Sequence, residues 1–285
     1  MKKPAIIFFS VLFSANVILA QRADTTRKCR VADVYLSFGG SAGSGQYGTP
    51  EDFRQLAPNS VLLQNNLNGY SESEEYMSGG LFTVQLGINL KANKPNPQLR
   101  LGISYFTGTL LTNNLWKETR IPYDTLTSAG SGMSYPVDSV VHGYYDMNYK
   151  TNQVMLDASL VYRLNPNARW CLYGGAGIAA GISINAKTEI NYSEYSGIAI
   201  KDYTTYPIYS SGHLESETHR NKSMQSLTLY VPIGLDFRIA RKSEFWKRMH
   251  LFYEMQPGLQ FSFIPETRSL NDGIFRNCFG VRAEL

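Results

Sequence analysis

The sequence predicts an all-β chain, an eight-stranded antiparallel transmembrane β-barrel with short periplasmic turns and long extracellular loops. Three observations predict it. The N-terminus reads as an export signal, eight later segments alternate apolar and polar residues with every charge on the polar side, and the connections between those segments alternate in length.

Lys2 and Lys3 precede a largely apolar stretch from Ala5 to Leu19, and Ile18-Leu19-Ala20 ends in a small residue suited to cleavage before Gln21. The unbroken apolar run, Ile6 to Phe9, is far short of the roughly 20 residues of a spanning helix. No cysteine follows the small residue, which argues against a lipid anchor. The expected organisation is therefore a signal peptide at 1–20, a short periplasmic segment at 21–30 and a barrel over 31–285. Removing Lys2 and Lys3 lowers the formal charge from +4 to +2, and no basic stripe interleaved with aromatics suggests a nucleic-acid partner. No later stretch has the apolar length of a transmembrane helix, so any crossing must be made by strands in a closed barrel.

Successive strand side chains point to opposite faces. The first segment sets Val34, Leu36 and Phe38 against Asp33, Tyr35 and Ser37. The second sets Phe82, Val84, Leu86, Ile88 and Leu90 against Thr83, Gln85, Gly87 and Asn89, and the third Leu99, Leu101, Ile103 and Tyr105 against Arg100, Gly102 and Ser104. In the fourth, Val154, Leu156, Ala158, Leu160 and Tyr162 oppose Gln153, Asp157, Ser159 and Arg163. The fifth pairs an apolar face, Trp170 to Ile184, with Cys171, Tyr173, Gly175, Gly177, Ala179 and Gly181. The sixth runs from Leu227 to Ile239 opposite Thr228, Tyr230, Gly234, Asp236 and Arg238. The seventh runs from Leu251 to Phe263 opposite Glu254, Gln256 and Gln260, and the last sets Phe275, Phe279, Val281 and Leu285 against Arg276, Gly280, Arg282 and Glu284.

Alternation alone does not say which face is inside. A soluble barrel turns its apolar face inward, and a membrane barrel does the reverse. The export signal, the small residues on the polar face of the fifth segment and the mixed signs of charge favour the second arrangement. Small inward residues are expected to leave room for large side chains from opposite strands. The expected interior ion-pair network comprises Asp33, Arg100, Asp157, Arg163, Asp236, Arg238, Glu254, Arg282 and Glu284, with Arg276 on the same face. An eight-stranded lumen is only wide enough for side chains to fill, so no open pore is expected. Lys91–Pro97, Asn165–Arg169 and Ala240–Arg248 are short turns, whereas roughly 41–78, 108–148 and 185–225 read as long loops, with a short final connection near 264–273. Tyr162, Trp170, Phe237 and Tyr253 fall near the short turns and Tyr105, Phe261, Phe263 and Phe275 toward the loops, as interfacial girdles require.

Two segments, Leu172-Tyr173-Gly174-Gly175-Ala176-Gly177-Ile178 and Tyr230-Val231-Pro232-Ile233-Gly234-Leu235-Asp236-Phe237, resemble the glycine-rich strands of small outer-membrane proteins. The final strand, with Phe279 and a terminal Leu285, resembles their C-terminal assembly signal but ends in an aliphatic rather than the usual aromatic residue. Over the whole mature chain the sequence is similar to the small barrels of Bacteroidetes-type bacteria, including the PorT-like group, and to the transmembrane domain of OmpA-like proteins. The resemblance implies an outer-membrane location and says little about activity.

No catalytic, cofactor or metal site is read from the sequence. Cys29, Cys171 and Cys278 read as small buried residues, with one disulfide the alternative. His142, His213 and His219 fall in loops and His250 opens a strand, none on an outward strand face beside a serine. Tyr144, Tyr145, Tyr192, Tyr195, Tyr206 and Tyr209 form a tyrosine-rich loop set suited to recognition of protein or sugar, or simply to packing the loops together. The function read is thus a non-enzymatic structural, surface-interaction or complex-accessory role, with outer-membrane lipid and other envelope proteins as partners. A narrow channel or small-molecule binder and a lipid-modifying enzyme are the alternatives.

Overall fold

The computed structural model describes residues 30–285 apart from 44–46, 66, 74–77, 92–93, 201–207 and 241–242. The signal-peptide segment, Cys29, Tyr206 and the tip of the first short turn lie outside the described residues.

The chain forms β1 (Arg30–Gly43), α1 (Pro50–Leu56), β2 (Ser71–Ser73), β3 (Ser78–Lys91), β4 (Lys94–Thr127), β5 (Ser134–Arg163), β6 (Trp170–Ile200), β7 (Ile208–Arg220), β8 (Gln225–Tyr230), β9 (Ile233–Arg238), α2 (Glu244–Lys247), β10 (Met249–Phe263) and β11 (Ser269–Glu284). Eight antiparallel staves close into a ring in the order β1, β3, β4, β5, β6, β7–β8–β9, β10, β11 and back to β1. The seam is extensive, since β1 and β11 pair from Asp33↔Glu284 through Gly43↔Ile274. The sixth stave is interrupted at Val231-Pro232, where proline has no amide proton to donate to the ladder.

The barrel is polar inside and apolar outside. Leu156, Leu172, Ile182, Phe38 and Phe279 are exposed, Leu156 at 69%, whereas Arg100 and Arg276 are 1% and 2% exposed. An apolar belt on the outside of a ring with a charged interior is the lipid-facing surface of a membrane barrel. Trp170 and Phe237 stack at 4.3 Å on its lower rim. Phe245 and Trp246 in α2 are exposed there too, rather than packed beneath the barrel.

Three sequence expectations need correction. The segments 108–148 and 185–225 are not open loops. β4 and β5 run on as a paired hairpin to Thr127↔Ser134, and β6 pairs with β7 from Lys187↔Arg220 to Ile198↔Ile208, so a four-stranded sheet projects beyond the barrel mouth. The alternation stops in the sequence because bulges at Leu110 and Ile184 switch the inward face from even to odd residues in β4 and from odd to even in β6. The loop 41–78 holds α1, which packs as a plug, with Phe53, Leu56, Leu62 and Leu63 against Leu110, Leu111, Leu115, Met147, Tyr149 and Ile190 of the projecting strands. Last, inward glycines make room for rings on adjacent strands, not opposite ones. A Cβ at Gly177 would collide with the ring of its register partner Tyr230, and one at Gly234 with that of Tyr173.

Candidate functional site

The lumen holds two ion-paired clusters and, above them, a hydrogen-bonded polar cluster, stacked from the short-turn end upward. At the lower rim Arg282 places Nη1 2.8 Å from Asp33 Oδ1 and Nε 2.7 Å from Asp236 Oδ2. His250 lies between two carboxylates, with Nδ1 2.5 Å from Asp236 and Nε2 3.2 Å from Glu284. Arg163 lies 3.8 Å from Asp33 and donates to Gln98 Oε1 at 2.9 Å and to the Tyr35 hydroxyl. Three carboxylates here face two guanidinium groups and an imidazole, and Arg282 Nη2 also lies 2.8 Å from His250 Nδ1.

Above this cluster Arg100 donates to Glu254 Oε2 at 2.6 Å, and its guanidinium lies between the rings of Tyr35, at 4.4 Å, and Tyr173, at 4.7 Å. Planar guanidinium groups accept such aromatic faces while keeping their in-plane donors for a carboxylate. Higher still, Asp157 accepts from Gln85 Nε2 at 2.7 Å and from the Tyr230 hydroxyl at 2.8 Å, while Arg276 donates to Thr228 at 3.0 Å. Side chains fill the lumen from Asp33 up to Leu110 and the α1 plug.

Seven of the nine network residues named from the sequence make the ion pairs of the two lower clusters, and Asp157 lies in the third through hydrogen bonds to Gln85 and Tyr230 instead. Arg238 does not join their ion pairs: it is half-buried at the lower rim, where Nη1 reaches the Asn167 carbonyl at 3.5 Å. Sequence reasoning missed His250, Tyr35, Tyr173 and Gln98 as members. His250 carried the signal, because it shares strand parity with Glu254. Cys171 and Cys278 are free, buried thiols on the lumen side.

The projecting sheet divides the tyrosines between two faces. Tyr145 and Tyr192 turn toward the plug, stacked at 4.6 Å, and Tyr70 of the first connection meets Tyr145 at 5.4 Å. Burial and the adjacent Glu194 carboxylate hold the Tyr192 hydroxyl above its ordinary pKa, so it remains a donor to Glu194 Oε2 at 2.6 Å. Tyr144 and Tyr195 turn outward, Tyr195 46% exposed, alongside Trp116, which meets the His142 ring at 6.1 Å. Tyr209 lies on β7. His213 and His219 contact Glu215 and Glu217 on their own strand at 2.7 and 3.2 Å. Among the described residues no group of His, Cys, Asp and Glu has metal-holding geometry.

Two carboxylates latch the plug. Asp52 closes a capping box with Thr49 at the start of α1, accepts from Thr267 at 3.0 Å and pairs with Arg268 at 3.3 Å. Burial alone would raise its pKa. The Thr49 amide and hydroxyl, Thr267 and Arg268 outweigh burial and hold it below the usual carboxylate value. Glu217 accepts from the Val61 and Leu62 amides at 3.1 and 3.3 Å. There too burial is outweighed, by Ser60, His219 and those amides, and the pKa is lowered.

No protein-family model and no curated protein matches the chain. Among solved structures it is similar to Neisserial surface protein A at 12% identity, covering 91% of this chain and 100% of that one with a TM-score of 0.35. It is also similar to Ail, the attachment invasion locus protein of Yersinia pestis, at 14% identity over 89% and 99% of the two chains with a TM-score of 0.29. At these values neither likeness bears on this chain's activity, and the fold stands on its own closed ring.

Arg282→Met leaves Asp33 and Asp236 buried without their shared cation and should cost about 3–5 kcal/mol of stability, read from urea unfolding in lipid vesicles. A loss below about 1 kcal/mol, the range of a solvated pair, would contradict the enclosed network. Because the folded pKa values of Asp52 and Glu217 are depressed, their contribution is complete above the ordinary carboxylate pKa of about 4 and is lost as pH falls through the lower folded values. Hydrogen-exchange protection factors over 49–65, each referred to the intrinsic amide rate at that pH, should fall on acidification while those of the β1–β11 seam amides hold, and an unchanged protection factor for the plug across that range would contradict the latch.

Proposed function

We propose that this chain is an outer-membrane barrel of the small Bacteroidetes-type, PorT-like kind, and that it acts without catalysis in surface interaction or as an accessory of an envelope complex. Its lumen is a packed structural element, and the interacting part is the sheet that projects beyond the membrane. The observation that carries the reading is the outward face of that sheet. It sets Trp116, Tyr144, Tyr195 and Leu214 on adjacent strands, with Trp116 41% and Leu214 72% exposed, above a barrel plugged by α1. Rigid aromatic side chains with polar tips give contact area at low entropic cost, which suits recognition of protein or sugar.

The hairpin edge supports a controlled use of this surface. Among the described residues, β4 beyond β2 pairs only with β5, and this edge carries Lys117, Glu118, Arg120, Pro122 and a bulge at Tyr123. Charges, proline and bulges are devices that prevent indiscriminate edge-to-edge pairing.

The test is co-purification from detergent-solubilised envelopes, comparing the full chain with the variant W116S/Y144S/Y195S/L214S. The full chain should retain a defined envelope partner that the variant loses, with both chains showing the heat-modifiable migration of a folded barrel. Identical partners for the two would contradict the assignment of interaction to the projecting sheet.

A further inference from the structure

Directly above the apolar belt, on the outward face, one register line crosses four strands: Thr109↔Lys150, Lys150↔Lys187 and Lys187↔Arg220. The two lysines converge. The ammonium of Lys150 lies 2.6 Å from one Glu189 oxygen and that of Lys187 2.5 Å from the other. One carboxylate thus holds two ammonium groups side by side, and each retains two N–H donors for a further acceptor. Three cations against Glu189 leave a net charge of +2. The next carboxylate up this face, Asp146, accepts from Asn148 at 2.5 Å and Asn191 at 3.3 Å. Isolated surface lysines keep apart and extend into water, so two drawn together at the edge of a lipid belt form a preorganised anion cradle.

The surroundings say which anion. Immediately below on the same face are Tyr105, Ile182 and Ile184, at 38%, 51% and 64% exposure. Above the cations come Asn148 and Asn191, then Trp116, Tyr144 and Tyr195. From the membrane outward the face therefore runs apolar, cationic, amide and aromatic. A phosphorylated glycolipid presents its parts in that order: acyl chains, phosphate, then sugar, whose polar and apolar faces suit amides and rings.

We propose that Lys150, Lys187 and Arg220 form a binding site for the phosphate of a glycolipid headgroup in the leaflet at the projecting-sheet end of the barrel. The site rests on the outer-membrane reading given above. Binding is measured by native mass spectrometry and thermophoresis on the full chain folded in dodecyl maltoside, using diphosphoryl lipid A, its dephosphorylated form and inorganic phosphate as probes. Diphosphoryl lipid A should bind at least tenfold more tightly than the dephosphorylated form, and K150Q/K187Q/R220Q should abolish that preference. K117Q/R120Q, higher on the hairpin, should keep it. Equal binding of the two lipids, or a triple variant that retains the preference, overturns the site. Displacement of the lipid by inorganic phosphate in tenfold excess overturns the lipid as its source. Heat-modifiable migration of each variant separates the two failures: its loss in the wild-type chain would defeat the barrel reading, whereas its persistence without lipid preference would defeat only the site.

Discussion

In hydrocarbon no water is present to satisfy a backbone amide or carbonyl, so a spanning sheet has to meet itself. The pairing of β11 with β1, from Asp33↔Glu284 to Gly43↔Ile274, removes the last two edges. Closure on eight staves then fixes a bore that side chains must fill. Each stave has one face on lipid and one on its neighbours across the bore, so the apolar residues go out and the ionisable ones are enclosed. Enclosure is costly for any charge that lacks a partner. The stacked pairing of Arg282 with Asp33 and Asp236, and of Arg100 with Glu254, answers that cost.

Above the belt the physical rule reverses. Water surrounds the projecting strands, and a conventional apolar core forms where α1 and the Leu62–Gln64 turn pack against Leu110, Leu115, Met147 and Ile190. The bulges at Leu110 and Ile184 mark the changeover, since each rotates its strand by one residue just as the environment changes. The same two strands thus serve an inside-out barrel below and a water-facing sheet above. The cationic row of Lys150, Lys187 and Arg220 lies at that boundary.

The membrane-spanning staves were legible because lipid and lumen impose a strict period of two, and one misplaced charge would have been visible. Asp157 and Leu156 are adjacent in sequence and lie on opposite sides of the wall. The projecting hairpins were not legible as strands, because both faces carry Tyr, Asn, Ser and Thr and the bulges break the phase. α1 was hidden for a different reason. Its seven residues are too few for a helical period, although Thr49-Pro50-Glu51-Asp52 holds a capping signature that could have marked its start. Within the lumen, carboxylates and arginines announced themselves by charge. Tyr35, Tyr173 and Gln98 did not, because a buried hydroxyl or amide looks in sequence like any polar residue on that face.

The account depends on the direction each stave faces. A nitroxide attached at Leu156→Cys, with the native cysteines replaced by alanine, reports that direction through its collision with dissolved oxygen and with a water-soluble nickel chelate in bilayers. The account predicts frequent collision with oxygen and almost none with the chelate, as for a label in hydrocarbon. An immobilised label reached by neither reagent, or one freely reached by the chelate, would place Leu156 in a protein core or in water and contradict it.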